Sequence, residues 1–170
     1  MAHYLDSLIS KYATKGLLVD SNLLLVYFVG MFDPERIPKF KKTMAFTVDE
    51  FRLLAKFFDV FKKVVTTPNI LTEVSNLSGQ LSESLRASFH GDFGDRIPRL
   101  EEHYASSASL ATSTHFKRFG LTDSGIVELV KGNYLVLTDD LRLYGLLLNR
   151  GVDAINFNHI RSQAWPDKSP

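Results

Sequence analysis

Short apolar runs, each followed by a polar turn, alternate along the chain with longer segments in which apolar residues recur every three or four positions. The short runs stand at 17–19, 64–66, 134–137 and 152–157. Short apolar runs bounded by polar turns are typical of buried parallel strands, and a three-to-four periodicity is typical of helices packed on a sheet. The alternation predicts an open, mostly parallel α/β sheet with helices between its strands.

Capping residues indicate where several of the helices begin. Thr47 and Glu50 form a capping box, in which each side chain bonds to the other residue's backbone N–H. Thr67 followed by Pro68 is an N-cap and a first helical residue. The segment 22–30 is apolar nearly all round, which predicts a buried helix directly after the first strand.

The length of the chain suits a single domain, which we expect to span residues 1–162. A helical insertion is predicted at about 79–120. Within it, the helical signal of 80–104 is broken at 91–98, and a second helix over 106–119 ends at Gly120. The Pro-rich and polar segment 163–170 is predicted to be a frayed tail.

Composition excludes several classes of protein. The chain contains 20 Lys and Arg residues against 19 Asp and Glu residues, so bulk charge does not indicate a nucleic-acid binder. It has no cysteine, which excludes disulfides and thiolate catalysis and fits a cytoplasmic location. The apolar segment 16–32 is interrupted at 20–22 and is too short to cross a membrane, and no secretory signal is recognisable. We therefore expect no membrane association.

Four acidic residues occupy positions that the pattern assigns to the protein interior. Asp20 follows the first strand, Asp140 follows the third, and Glu73 and Asp123 lie on the apolar stripes of two predicted helices. Helical phase predicts that Glu73, Asp123 and Asp140 face the core. Asp139 would instead share a helix face with Arg142, so Asp140 is the predicted inward acid and Asp139 its alternative.

Converging carboxylates repel one another, and a divalent cation relieves the repulsion. Hard carboxylate oxygens without a cluster of thiols or imidazoles suit Mg²⁺ or Mn²⁺. Such ions activate a bound water and stabilise charge on a phosphoryl oxygen, which suits hydrolysis of a phosphodiester. Each acid taken alone has another interpretation, because Asp at a helix start is typical of an N-cap and Glu73 alone suits a solvated helix flank.

The order of these motifs resembles the PIN-domain (PilT N-terminus) nuclease family. The motifs are Val19-Asp20-Ser21-Asn22, Thr72-Glu73-Val74, Leu121-Thr122-Asp123-Ser124 and Leu135-Val136-Leu137-Thr138-Asp139-Asp140. The resemblance covers about 17–157. It implies a three-layer α/β/α fold with a central, mostly parallel sheet of four to five strands, and an acidic pocket that holds one or two Mg²⁺ or Mn²⁺ ions and cleaves RNA.

Roles follow by motif match. The acids that the resemblance assigns to catalysis and metal binding are Asp20, Glu73, Asp123 and Asp140, with Asp139 as the alternative to Asp140. Glu73 would ligate the metal or orient the attacking water. The residues expected to contact ligands, metal-bound water or phosphate are Asn22, Ser124, Thr138 and Arg142.

The resemblance also implies partners. Its best-known bacterial members are VapC-type toxins paired with an antitoxin protein, and PIN-like proteins are often homodimers, so RNA, an antitoxin and a second copy are the expected partners. Two alternatives stay open. One is a catalytically inactive PIN-like module that binds RNA or protein. The other is a phosphatase-like enzyme with Asp20 as nucleophile, against which Asn22 stands where a second Asp is required.

Overall fold

The structure, a computed structural model, describes residues 2–130 and 132–164. Its centre is a five-stranded sheet in which every pair of neighbouring strands is parallel. The strands are β1 (Leu17–Val19), β2 (Val64–Thr66), β3 (Glu101–Glu102), β4 (Leu135–Thr138) and β5 (Ala154–Asn156). The fold class is α/β, consistent with three layers, which confirms the prediction of a mostly parallel sheet of four to five strands.

Helices connect the strands. They are α1 (Ala2–Tyr12), α2 (Ser21–Phe32), α3 (Val48–Asp59), α4 (Pro68–Ser78), α5 (Glu83–Arg96), α6 (Ser107–Ala111), α7 (Phe116–Val130), α8 (Leu141–Asn149) and α9 (Phe157–Ala164), with short 3₁₀ turns at Pro34–Lys39 and Ile97–Arg99. The predicted caps are confirmed. Thr47 and Glu50 form the capping box of α3, and the Thr67 side chain accepts from the backbone N–H of Ile70 in α4.

The order of strands across the sheet is β3-β2-β1-β4-β5. After β1, the strands β2 and β3 are added on one side of it. The chain then crosses over, and β4 and β5 are added on the other side of β1. Leu17, Leu18 and Val19 of β1 lie directly beside Leu135, Val136 and Leu137 of β4. Ligands of open α/β sheets bind beyond the carboxyl ends of the strands at such a reversal. Asp20 and Asp139 follow these two strands directly.

Packing on both faces of the sheet holds the carboxyl ends of its strands in place. The strands β1, β4 and β5 are buried along their whole length, as expected for a sheet covered by helices on both sides. The rings of Tyr27 in α2 and Phe58 in α3 are stacked with centroids 4.1 Å apart. At Gly30 an added Cβ would lie 2.3 Å from the Phe51 ring, so only glycine permits this approach of α3 to α2.

Several sequence predictions differ from the structure. Helix α5 continues through Gly91, where a break was predicted. The helix predicted over 106–119 is divided between α6 and the first turn of α7, and Gly120 interrupts α7 with φ +74°. Helices α1 and α9 and strand β3 were not predicted. Of the predicted tail, residues 163–164 end α9, and 165–170 lie outside the described residues.

No helix within the described parts of the chain is long and apolar enough to cross a membrane.

Candidate functional site

Asp20 is the buried centre of the site. It directly follows β1 and caps helix α2, with its Oδ1 accepting a hydrogen bond from the backbone N–H of Leu23 at 3.0 Å. Its Oδ2 accepts from the backbone N–H of Asp139 at 3.0 Å and from the Thr138 hydroxyl. Two of these three donors belong to the end of β4, so the carboxylate joins the carboxyl ends of the two central strands.

The charge of Asp20 is poorly accommodated despite these bonds. Burial, and then repulsion from Asp139, raise the pKa of Asp20 to about 8, against the opposing effect of the hydrogen bonds from Thr138, Leu23 and Asp139. Burial likewise raises the pKa of Asp139, against the hydrogen bond that it accepts from Asn22. Three hydrogen bonds favour the ionised form of Asp20, but burial and the charge of Asp139 outweigh them.

The prediction that Asp140, rather than Asp139, turns inward is wrong. Asp139 is half-buried, and its Oδ1 accepts a long hydrogen bond of 3.4 Å from the Asn22 side chain. Asp140 is exposed and caps α8, accepting from the backbone N–H groups of Arg142 at 2.6 Å and Leu143 at 3.1 Å. As an N-cap its side chain folds back on the first turn of its own helix, so helical phase does not describe its direction.

Glu73 is exposed, which corrects the prediction that it faces the core. It lies at the edge of the apolar stripe of α4, and its two carboxylate oxygens accept hydrogen bonds from different motifs. Oε2 accepts from the Ser21 hydroxyl at 2.6 Å, and Oε1 accepts from the Thr122 hydroxyl at 2.7 Å. Ser21 follows Asp20 and Thr122 precedes Asp123, so Glu73 connects the first and third acidic motifs.

Asp123 completes the group. It lies three residues after Gly120, whose positive φ interrupts α7 and sets the direction of the helix that carries the acid. Burial, followed by the charges of Asp140 and Glu73, raises the pKa of Asp123 to about 6, while the guanidinium of Arg142 lowers it. Within the described residues, no hydrogen bond stabilises its carboxylate.

Arg142 supplies a positive charge at the carboxyl ends of the strands, where it lowers the pKa of Asp123. It is exposed, and its guanidinium lies 5.7 Å from the centroid of the Phe119 ring, which orients it by a cation–π contact. The guanidinium of Arg118 lies 5.3 Å from the same ring. Phe119 therefore has guanidinium groups of two arginines beside its ring.

Buried polar side chains that sequence reasoning missed line the ends of the other strands. Thr66 and Asn156 end β2 and β5, and among the described residues neither the Thr66 hydroxyl nor the Asn156 amide nitrogen has a hydrogen-bond partner. The buried hydroxyl of Ser124, a predicted contact residue, is also unpaired there. Asn158 donates from its amide to the backbone carbonyl of Asp139 at 2.8 Å. A polar residue at the last position of β2, β4 and β5 was the available signal.

Carboxylate and hydroxyl oxygens are the donors that Mg²⁺ and Mn²⁺ prefer, so the site fits such an ion by donor type and by its excess of negative charge. Within the described residues, however, no three acidic or imidazole side chains are already gathered at metal-ligand spacing. Charge repulsion links Asp20 to Asp139 and Asp123 to Glu73, and the charge of Asp140 acts on both Asp139 and Asp123. Binding one ion among these carboxylates requires rotation of the side chains that are not buried.

A groove of about 400 Å³ adjoins the acidic site and shares Glu73 and Thr122 with it. One wall is the start of α4, including Pro68 and Thr72. The opposite wall is the segment between β3 and the kink of α7, including Tyr104. The predicted insertion at 79–120 therefore provides part of the groove, including Tyr104.

Comparison with known proteins finds no matching family model, no curated protein with significant similarity and no solved structure with significant similarity. The resemblance to PIN-domain nucleases therefore depends on the order and surroundings of the acidic motifs alone. The α/β fold, with the first and last of these motifs at adjacent strand ends, is compatible with that resemblance.

Proposed function

We propose that the protein is an Mg²⁺- or Mn²⁺-dependent endoribonuclease that hydrolyses phosphodiester bonds of RNA. The observation that carries the proposal is electrostatic: the pKa values of Asp20, Asp139 and Asp123, acids on separate motifs at one edge of the sheet, are all raised. A protein that places repelling carboxylates together stabilises them when a cation binds. The alternation of strands and helices and the motif order support the same assignment.

Asp20, Asp123 and one acid of the pair Asp139 and Asp140 would hold the cation. When bound, the ion would lower the pKa of a water molecule and neutralise charge on the phosphate. Asp139 is the better candidate of the pair to share the cation with Asp20, because it is half-buried and its charge acts on Asp20, whereas Asp140 is exposed. Thr138 would keep Asp20 oriented through its hydroxyl.

The chain's own residues supply the remaining functions. Glu73, held by Ser21 and Thr122, would orient the attacking water through a carboxylate whose position is fixed on both sides. Arg142 would bind a non-bridging oxygen of the phosphate, and Asn22 and Ser124 would hydrogen-bond to it or to neighbouring water. The water oxygen would bond to phosphorus and give up a proton as the bond from phosphorus to the leaving oxygen breaks, and the leaving oxygen would take up a proton in exchange.

The direct test is cleavage of a labelled single-stranded RNA with Mn²⁺ and with excess EDTA. We expect cleavage by the wild type only with Mn²⁺, and a loss of at least roughly a hundredfold in Asp20→Asn, because several kcal/mol of transition-state stabilisation are removed. Asp33→Asn is the matched control, since Asp33 also accepts a hydrogen bond as the N-cap of a helical turn but lies at the other end of α2. Equal cleavage by Asp20→Asn and wild type would contradict the proposal.

One observation favours a second candidate, a catalytically inactive module that binds RNA or protein. Both oxygens of Asp20 are already bonded to protein donors, and no ready-made group of three metal ligands stands within the described residues. In that case the acids would have a structural role, as helix caps and as acceptors of hydrogen bonds between elements. RNA that binds to the wild type without being cleaved, at any Mn²⁺ concentration, would favour this candidate.

The resemblance extends the proposal to partners and location. An antitoxin protein and a second copy of the chain are the proposed protein partners, and the cytoplasm is the proposed compartment. Leu141 and Leu148 support a protein contact near the site, because both are exposed and lie seven positions apart on one face of α8. A monomeric mass by light scattering at high concentration would contradict the dimer.

A further inference from the structure

The groove beside the acidic site is suited to a neutral, flat ligand. The residues that line it are Pro68, Asn69, Thr72, Glu73, Tyr104, Ala105, Ser107, Phe116, Gly120, Leu121 and Thr122. The single charged side chain among them is Glu73, which is acidic, so the groove repels a phosphate. The amide of Asn69 and the hydroxyls of Thr72 and Ser107 offer hydrogen bonds to a polar edge.

Tyr104 is the most exposed large apolar side chain that borders this groove. Its side chain is 81% exposed, and its ring makes no aromatic contact with any described residue. A tyrosine whose ring packs in the hydrophobic core would be largely buried. An aromatic face left open beside polar groups is a surface on which another flat ring can stack.

The backbone around Tyr104 is held on both sides. The backbone N–H of His103 donates to the carbonyl of Thr66 at 3.0 Å, and the His103 ring lies within hydrogen-bond distance of Glu101 at 2.9 Å and of the Tyr134 hydroxyl at 2.9 Å. On the other side, Ser106 caps α6. Tyr104 is therefore presented from a short anchored segment, which lowers the entropic cost of binding on its ring.

We propose that this groove is a nucleobase subsite, in which an unpaired base of a single-stranded RNA stacks on Tyr104 beside the phosphate held at the acidic edge. The inference deepens the proposed function and rests on it for the identity of the strand. The sharing of Glu73 and Thr122 places base and phosphate next to each other. Repulsion between Glu73 and phosphate keeps the backbone out of the groove and directs the base into it. The segment 79–120 then has a role, since it provides Tyr104.

The test is binding of a short fluorescein-labelled single-stranded RNA, measured by anisotropy with Ca²⁺ in place of Mn²⁺, so that a cation neutralises the acidic edge, and with the RNA checked to be uncleaved after the measurement. We expect Tyr104→Ala to weaken binding roughly tenfold or more, because stacking of one base on an aromatic ring contributes that much to affinity. Tyr104→Phe keeps the ring and should bind like the wild type. Tyr4→Ala is the matched control, because Tyr4 is also an exposed tyrosine but lines a different cleft, against β5.

The subsite and the nuclease can fail separately. Binding that depends on Tyr104 in a protein that never cleaves RNA would support the subsite and remove the proposed enzyme. Equal affinity of Tyr104→Ala and wild type, or no binding of RNA by the wild type, would overturn the subsite. An RNA with an abasic residue at each position in turn should lose its sensitivity to Tyr104→Ala at one position. Sensitivity that persists at all positions would also overturn it.

Discussion

The pKa values of carboxyl groups are shifted in opposite directions at the amino ends and at the carboxyl ends of the strands. Near the amino ends, Asp153 accepts hydrogen bonds from Lys11 at 2.6 Å and from the Tyr12 hydroxyl at 2.9 Å. These bonds outweigh burial, so the pKa of Asp153 lies below 3.8. Hydrogen bonds from Lys63 and His103 similarly lower the pKa of Glu101. At the carboxyl ends, the pKa values of Asp20, Asp123 and Asp139 are raised.

The difference lies in the partners. At the amino ends each carboxylate has a lysine from a neighbouring element, so its charge is balanced within the protein. At the carboxyl ends the main neighbours of the acids are other acids, helped by backbone N–H groups at the starts of α2 and α8. The same residue type is thus neutralised at one end and left with excess charge at the other, which makes the carboxyl end the place where an external cation would bind.

The strongest test of this contrast is stabilisation by Mn²⁺. We expect the free energy of unfolding of the wild type to rise by about 2.7 kcal/mol when the ion is at about 100 times its dissociation constant. Asp153→Asn should show the same increase, because it alters only the amino end. Asp20→Asn should show almost none. Thermal melting with Mn²⁺ and with EDTA measures this, and an increase that Asp20→Asn retains in full would contradict the assignment.

The second test is the effect of pH without metal. Since the pKa of Asp123 rises from 3.8 to about 6 on folding, the stability associated with its protonated form is present below 3.8 and is lost as pH rises through about 6. Asp123→Asn should therefore be more stable than the wild type at neutral pH in EDTA, by about 1–2 kcal/mol once the shift is reduced for solvent screening of this partly exposed carboxylate. Denaturant unfolding at acid and neutral pH measures the difference.

Asp49→Asn is the control for that experiment, because Asp49 is an exposed acid in the first turn of α3 that pairs with Arg52. Its stability should follow the wild type across the pH range. An Asp123→Asn variant that is less stable than the wild type at neutral pH would show that the carboxylate is not under repulsion.

The smallest expected effect is at the amino end. Asp153→Asn should lower the free energy of unfolding by about 1 kcal/mol at neutral pH, because it removes the negative charge that strengthens the hydrogen bonds from Lys11 and Tyr12. The sign with pH is opposite to that of Asp123. The lowered pKa of Asp153 means that its contribution is present above 3.8 and is lost as pH falls. A wild type and variant that differ equally at neutral and strongly acid pH would contradict this.

Local signals in the sequence were sufficient for much of the fold. The apolar runs at 17–19, 64–66 and 134–137 became strands, and caps at Thr47 and Thr67 began helices as predicted. Strand β3 could not be predicted, because Glu101 and Glu102 are charged and pair with β2 only through tertiary contact. Helix α5 runs through Gly91 because its buried Phe89 and Phe93 pack against the core on either side of the glycine.

The sequence was sufficient to predict which acidic residues belong to the site, but not which way their side chains point. Asp20 is buried as predicted, because the run before it forms the central strand. The choice between Asp139 and Asp140 required the position of β1, since the Asp139 backbone N–H donates to Asp20 across the sheet. The bridging role of Glu73 required the positions of three elements at once. The sequence around Tyr104 did not indicate its position, because an aromatic residue in a loop can be either buried in the core or exposed at the surface.

The bridge formed by Glu73 makes the acidic edge sensitive to local opening. One carboxylate joins the hydroxyls of Ser21 and Thr122, and it is carried by α4, which is only three turns long. Fraying of this one helix would release both hydroxyls and let the two halves of the edge drift apart while the rest of the sheet stays folded. The stability of this short helix thus affects the link between the first and third acidic motifs. Amide hydrogen exchange would measure how often the helix opens.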